Sequence, residues 1–316
     1  MNIVFAGTPN FAARHLEMLI DSDFRISCVL TQPDRVSGRG KKISLSPVKE
    51  MSLKKGFDLF QPMSLKNSDS VQKIKEIKPD LIVVVAYGLI IPKKILDIPT
   101  IGCINVHGSL LPKWRGASPM EYSIMNGDKK TGLSYMKMTE GLDEGPVYEM
   151  HECIIEPNDK LSDIEKKLIE LSKKNLVPFL NRIKNRQAKS IEQDHDNFSL
   201  APKIKKQDLQ IDWVNTSSSE LVKKVNALSE KYGVFTFLNN KRVKIHDVSE
   251  TVSSESSKPG LIDLSDETLT VACKNDTRIK INILQIEGRK KVTGKEFISA
   301  YKDVITKSKN FSYKTQ

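Results

Sequence analysis

Met1-Asn2-Ile3-Val4-Phe5-Ala6-Gly7-Thr8-Pro9-Asn10 opens the chain, and the reading of this stretch decides the fold. Ile3 to Ala6 is a short apolar run of the kind that forms a strand buried on both faces. Thr8 is placed to cap a helix that Pro9 opens, because proline has no N–H to lose in a first turn and its φ is already helical. A buried strand running into a helix is the first half of a βα unit. The turn Gly7-Thr8-Pro9-Asn10 lacks the G-x-G-x-x-G spacing that lets backbone approach a pyrophosphate, so a nicotinamide or flavin site is not expected.

Working outward, the apolar runs Ile26 to Leu30, Leu81 to Ala86 and Gly102 to Val106 are separated by helix-like segments, which predicts a mainly parallel sheet. Gly132 to Met138 and Pro146 to Ile155 read as two further strands. Leu161 to Ile183 carries apolar residues at helical spacing and reads as a helix broken or kinked near Pro178. The polar stretch 185–206, ending Ala201-Pro202-Lys203-Ile204-Lys205-Lys206, reads as a surface linker. Beyond it a helix, Ser219 to Leu228, precedes short strand-like runs at Val234 to Leu238, Arg242 to Val248, Leu261 to Leu264, Thr268 to Ala272 and Ile279 to Gln285. The expected organisation is an α/β, Rossmann-like domain with a mainly parallel sheet over residues 1–184, a linker over 185–206, and a β-barrel-like domain of OB type over 207–316.

The 316 residues are 39% hydrophobic and 28% charged, ordinary globular usage that excludes wholesale disorder and a disulfide-stapled miniprotein. No apolar run approaches the roughly 18 to 20 residues of a membrane span, and no basic leader precedes the first strand, so a cytoplasmic protein without membrane attachment is expected. Cys28, Cys103, Cys153 and Cys273 are far apart and form no C-x-x-C pair; buried free thiols are expected, and no metal. Fifty Lys plus Arg against 39 Asp plus Glu leave a net charge of +11, which favours polyanionic partners. Residues 207–316 contribute 18 Lys plus Arg and 14 Asp plus Glu to that balance. Gly38-Arg39-Gly40-Lys41-Lys42 is not a Walker A loop, because the first glycine is misplaced and no Ser or Thr follows the lysine.

The densest polar constellation is Asn105-Val106-His107-Gly108-Ser109-Leu110-Leu111-Pro112-Lys113-Trp114-Arg115-Gly116-Ala117-Ser118-Pro119-Met120-Glu121. Asn105 and His107 are two apart at the end of a strand, so their side chains share a face at the carboxyl edge, where open parallel sheets place their sites. Ser118, Pro119 and Glu121 read as a capping box that starts a helix. An isolated Asn-x-His can equally serve to satisfy backbone groups at a strand end. Ser109 beside His107 is no hydrolase nucleophile, since the G-x-S-x-G elbow is missing. Thr139-Glu140-Gly141-Leu142-Asp143-Glu144-Gly145-Pro146 can be an ordinary turn, or its glycines can aim Asp143 at the Asn105 and His107 edge.

Taken together, these motifs resemble the folate-dependent formyltransferase superfamily, and within it the branch that formylates a charged tRNA. The likeness rests on Phe5-Ala6-Gly7-Thr8-Pro9, on Gln32-Pro33-Asp34-Arg35 with the Gly38 to Lys42 loop, on Asn105 to Pro112 running into Arg115-Gly116, on Gly127-Asp128 and Thr131-Gly132, on Glu140-Gly141-Leu142-Asp143, and on Ile211-Asp212-Trp213. It implies that Asn105, His107 and Asp143 form the catalytic set. It further implies that 10-formyltetrahydrofolate binds along Ser109, Leu110, Leu111 and Pro112 and along the turn Tyr87, Gly88, Leu89, Ile90 and Ile91. The basic residues Arg35, Arg39, Lys41 and Lys42 resemble the tRNA-specific insertion, which implies initiator methionyl-tRNA as the acceptor, held by a protein expected to be a monomer. The chain departs from the family at Ser229-Glu230-Lys231-Tyr232-Gly233-Val234-Phe235, where a proline-rich segment is usual, and at Gly145-Pro146, where Gly-Asp is usual. Two alternatives stand beside this one: formylation of a small amine, which needs no basic loop, and noncatalytic RNA binding, which needs no Asn-His-Asp set.

Overall fold

The computed structural model describes residues 1–37, 42–252, 257–264 and 267–313. The chain divides into two compact units, one of Met1–Pro119, Lys130–Ile154 and Glu165–Pro202, the other of Met120–Lys129, Ile155–Ile164 and Lys203–Gln316.

The first unit begins with strand β1 (Asn2–Gly7) and helix α1 (Asn10–Ile20), followed by β2 (Arg25–Leu30), a small hairpin of β3 (Arg35–Ser37) and β4 (Lys42–Ser44), α2 (Pro47–Lys55), β5 (Leu59–Phe60), α3 (Ser68–Ile77), β6 (Leu81–Val85), α4 (Lys93–Leu96) and β7 (Gly102–His107). After the short strand β8 (Arg115–Gly116), helix α5 (Pro119–Asn126) belongs to the second unit from Met120 on; the first unit resumes with β9 (Lys130–Lys137), β10 (Val147–Ile154), the long α6 (Leu161–Lys184) from Glu165 on, and β11 (Leu200–Ala201). Seven strands form one sheet in the order β10-β9-β7-β6-β1-β2-β5. Strands β5, β2, β1, β6 and β7 are parallel, and β9 and β10 close one side antiparallel. Ile3 to Ala6 and Leu81 to Val85 are buried throughout, which is why these strands read as unbroken apolar runs. The chain leaves β1 toward β2 and returns on its other side at β6, so the strand order reverses there, next to β7 and its polar end.

Local chemistry departs from the sequence reading at particular residues. Pro9, not Thr8, is the N-cap of α1, and the Thr8 hydroxyl donates instead to the Tyr87 carbonyl at 2.8 Å, tying the β1–α1 turn to the turn after β6. The helix expected to be broken or kinked near Pro178 is not broken: α6 runs across it from Leu161 to Lys184, with Leu176, Phe179 and Leu180 buried around the proline. Residues 185–202, expected within a linker, lie with the first unit. Ile191 exchanges two 2.8 Å backbone hydrogen bonds with Val147, and β11 pairs parallel to β8.

In the second unit a 3₁₀ turn (Lys206–Leu209) and α7 (Ser218–Leu228) precede β12 (Phe235–Leu238), β13 (Lys241–Thr251), β14 (Ile262–Asp263), β15 (Thr270–Ala272), β16 (Arg278–Ile286), β17 (Val292–Thr293) and α8 (Gly294–Ser308). A reciprocal Ser217–Glu220 capping box starts α7. The antiparallel path β12-β13-β16-β15-β14 is joined at its two edges by residues 309–312: Ser312 bridges Phe237 of β12, and Asn310 bridges Leu261 beside β14. This makes the sheet barrel-like around buried Val243, Ile245, Val271, Ile279, Ile281 and Leu284. The Trp213 indole N–H donates to Thr236 Oγ1 at 2.9 Å and its ring stacks on Phe311, fastening the closing segment. Glu121, expected to cap its own helix, lies in this unit. Its Oε1 accepts from Tyr232 at 2.8 Å and from Lys231 Nζ at 3.0 Å.

Candidate active site

Strand β7 ends on Asn105-Val106-His107, and the period of two puts Asn105 and His107 on one face. Asn105 is registered between Val84 of β6 and Met136 of β9, and His107 lies opposite Ser134. The Leu142-Asp143 turn between β9 and β10 brings a carboxylate to the same place. Asp143 Oδ1 accepts from Asn105 Nδ2 at 3.2 Å, and Oδ2 accepts from the Gly116 backbone N–H at 2.9 Å. Oδ2 also lies 3.6 Å from His107 Nδ1, outside hydrogen-bond reach and close enough to attract the ring whenever it carries a positive charge. Asp143 has φ +48°, a left-handed conformation that aspartate tolerates better than most residues.

The histidine is oriented from its other side. His107 Nε2 is 2.9 Å from the Trp114 carbonyl, which can only accept, so Nε2 carries a proton and Nδ1 is the nitrogen turned to Asp143. The loop from Gly108 to Ser118 is rigid enough to supply that carbonyl. Ser134 Oγ donates to Ser109 O at 2.7 Å and accepts from Leu111 N at 3.0 Å, and Ser109 Oγ donates to Lys113 O at 2.6 Å. On its far side the loop is held by Ser199, which accepts from Trp114 N and Arg115 N, and by Ala201, whose carbonyl accepts from Ser118 N. Gly116 has φ +124°, and a Cβ there would lie 2.7 Å from Ala201 O, so only glycine can both make this crossing and present its N–H to Asp143.

These groups can act on a carbonyl attacked by an amine: Asn105 has a second amide N–H to offer, His107 Nδ1 faces the same space, and Asp143 supplies a carboxylate next to both. Three of the four thiols are inert structural groups, since burial pushes Cys28, Cys103 and Cys273 up to about 12. Among the described residues no cluster of three His, Cys, Asp or Glu could hold a metal ion.

The residues expected to contact folate divide by exposure. Ser109, Leu111, Tyr87 and Ile91 are buried, Ser109 with its hydroxyl committed to Lys113 and Tyr87 with its carbonyl accepting from Thr8 and Gln32. Leu110, Pro112 and Leu89 are half-buried, while Gly88 and Ile90 are exposed, Ile90 by 71%. Gly88 has φ +82°, and a side chain there would collide with Gln32. Of the four expected tRNA contacts, Arg35 donates to Gln32 Oε1 at 2.8 Å, Lys42 lies in β4 opposite Ser37, and Arg39 and Lys41 lie outside the described residues. Sequence reasoning missed the Trp114 carbonyl, the Gly116 N–H, Arg115 and Gln193. The first two are backbone groups, and Gln193 is one polar residue in a polar segment, so no pattern marks it.

Comparison with known proteins places this geometry in context. Residues 1–180 match the family described as Formyl transferase, and residues 203–302 match Formyl transferase, C-terminal domain. The chain is similar to the methionyl-tRNA formyltransferase of Thermotoga maritima, at 40% identity over 294 residues and 93% of each chain. It is also similar to that of Pseudoalteromonas translucida, at 37% identity over 308 residues, 97% of this chain and 96% of the other. Among solved structures, the sugar 3N-formyl transferase WlaRD, determined with dTDP and 5-N-formyl-THF, shares the fold with a TM-score of 0.63 at 17% identity, over 92% of this chain and 99% of that one. HypX from Aquifex aeolicus in complex with tetrahydrofolic acid does so with a TM-score of 0.61 at 15% identity, over 99% of this chain and 50% of that one.

Proposed function

The chain belongs to the formyl transferase family, and from that premise we propose that it transfers the formyl group of 10-formyltetrahydrofolate to the free amino group of methionyl-initiator tRNA, for translation initiation in the cytoplasm. The observation that carries this reading is the convergence of Asn105, His107 and Asp143 at one strand edge of a chain related over nearly its full length to tRNA-formylating enzymes.

The chemistry follows from the groups present. The aminoacyl nitrogen attacks the formyl carbon, and the carbonyl electron pair moves onto oxygen. The Asn105 amide donates to that oxygen, and His107, protonated on Nδ1 as well as Nε2 in the reacting state, donates from Nδ1 while its Nε2–H is engaged by Trp114 O. Asp143, 3.6 Å from Nδ1, stabilises positive charge on the ring as the oxyanion develops. Its carboxylate also takes, through a water, the proton that the amine nitrogen must lose once it has bonded to the formyl carbon. Collapse breaks the bond between the formyl carbon and the folate nitrogen, which takes up the proton Asp143 had accepted, returned through the water, and leaves as tetrahydrofolate. No covalent enzyme intermediate is required. The folate donor lies along Gly88, Leu89 and Ile90 and the half-buried Leu110 and Pro112, while Ser109, Leu111, Tyr87 and Ile91 shape that wall from behind. Residues 1–184 carry the chemistry, the 207–316 domain positions the tRNA, and Arg35, Arg39, Lys41 and Lys42 follow its phosphates, all in a monomer.

The test is to incubate the protein with 10-formyltetrahydrofolate and charged initiator tRNA and to look for formylmethionine after deacylation. Formylation is expected to depend on the tRNA body. Formylation of a small amine with none of the tRNA would overturn the choice of acceptor, and absence of any transfer would overturn the reaction.

A further inference from the structure

Beyond that reaction, we propose that Gln193 is a positioning residue for Asp143, which makes part of a segment that reads as a linker a working component of the site. The Gln193 side chain is 7% exposed and its amide is fully engaged. Oε1 accepts from Arg115 Nε at 3.0 Å and Nη2 at 2.8 Å, and Nε2 donates to the carbonyls of Asp143 at 2.8 Å and Gly145 at 2.7 Å. The orientation of the amide is determined: a guanidinium can only donate and a carbonyl can only accept, so the flipped amide would lose all four bonds.

The connections form a closed circuit. Gln193 grips the main chain at Asp143, and Arg115, which grips Gln193, is followed by Gly116, whose N–H binds the Asp143 carboxylate at 2.9 Å. Arg115 is 5% exposed and its guanidinium lies over the Phe198 ring at 5.0 Å, so the same short segment covers it from a second direction. The backbone bonds between Ile191 and Val147 place Gln193 against the turn. A residue at φ +48° holds one conformation only where its surroundings over-determine it, and Asp143 is fixed here at both its carbonyl and its carboxylate. Gln193 touches neither substrate nor reacting atoms; it acts through the aim of Asp143 at His107 and Asn105. An aim lost by about 1 Å can cost on the order of a hundredfold in rate.

Resting on the formyl-transfer reading, the test uses Gln193→Met, which keeps volume and removes every hydrogen bond, and Gln193→Glu, which keeps the acceptor for Arg115 and cannot donate to the two carbonyls. Each variant is expected to lower kcat by roughly 10- to 100-fold with both KM values within about threefold. The deciding measurement is a double-mutant cycle: in an Asp143→Asn background the same Gln193→Met change should cost less than about twofold, because its target is gone. An equal cost in both backgrounds, or an unchanged kcat, overturns the proposal. Hydrogen exchange of the full chain provides a readout that does not depend on catalysis. The amides of Gly116, bonded to the Asp143 carboxylate, and of Val147 and Ile191, bonded to each other's carbonyls, should exchange at least about tenfold faster in Gln193→Met with the core of β1 and β6 unaffected, and unchanged exchange there would also overturn it. Should the Met variant not fold, the Glu variant carries the same measurements. Failure of the wild-type chain to formylate would instead refute the reaction assignment, while the exchange result would still decide whether Gln193 holds the turn.

Discussion

Replacing Asp143 by asparagine is expected to slow formyl transfer about a thousandfold while leaving the chain folded. The side chains of His107 and Asp143 are 4% and 15% exposed and 3.6 Å apart. At an effective dielectric constant of about 20, opposite unit charges at that separation attract by about 4.6 kcal/mol, or roughly three decades in rate if the ring becomes fully charged in the transition state. The substitution also introduces a donor conflict. Both carboxylate oxygens accept from the protein, one from Asn105 and one from the Gly116 N–H, and an amide can satisfy only one of them. Leaving the other donor unpaired costs about 1–3 kcal/mol of stability, which lowers the unfolding midpoint by roughly 3 °C for each kcal/mol. The assay is single-turnover formylation of charged initiator tRNA at saturating donor, with thermal unfolding measured on the same preparation. A folded variant within about threefold of the wild-type rate would refute the electrostatic role of Asp143.

Other outcomes follow from the same structure. Burial lowers His15 from 6.5 to about 4, with its Nδ1–H donated to the Phe11 carbonyl. Between those values the unfolded chain binds a proton that the folded chain refuses, so stability should fall by up to about 3 kcal/mol as pH drops from about 6.5 to 4. Urea titrations at both ends of that range should show the loss in the wild type and a flatter dependence in His15→Leu. Glu121→Ala strands the Lys231 ammonium and the Tyr232 hydroxyl beside a buried position and should cost about 2–3 kcal/mol in denaturant unfolding, with Glu121→Gln costing less because it still accepts from Tyr232. Replacing Arg39, Lys41 and Lys42 with alanine should flatten the log–log salt dependence of tRNA binding by about 2–3, with donor affinity unchanged. An unchanged slope would remove that loop from the tRNA interface.

The parallel strands were legible because their residues answer to a local rule. Ile3 to Ala6 and Leu81 to Val85 are apolar without interruption, and only a strand covered on both faces buries such a run. The pairing of Asn105 with His107 was legible for a similar reason, since the period of two places them on one face whatever lies around them. Asp143 was less so: its loop reads equally well as a turn, and family resemblance singled it out. The end of the barrel was hidden too, because the segment over 309–312 closes the sheet through backbone bonds that any sequence can make.

By itself, then, the sequence determined the alternation of strands and helices, the order of the two domains and the face on which the polar residues of β7 stand, because periodicity and capping are written in neighbouring residues. Only the tertiary structure decided which nitrogen of His107 faces Asp143, that Glu121 serves Lys231 and Tyr232 in place of its own helix, and that Gln193 holds the Asp143 turn. Each of these rests on a contact between residues at least seven, and in two cases at least fifty, positions apart. The partner is often a backbone carbonyl, a group every residue carries, so its use is set by where the chain is folded and not by which side chain it bears.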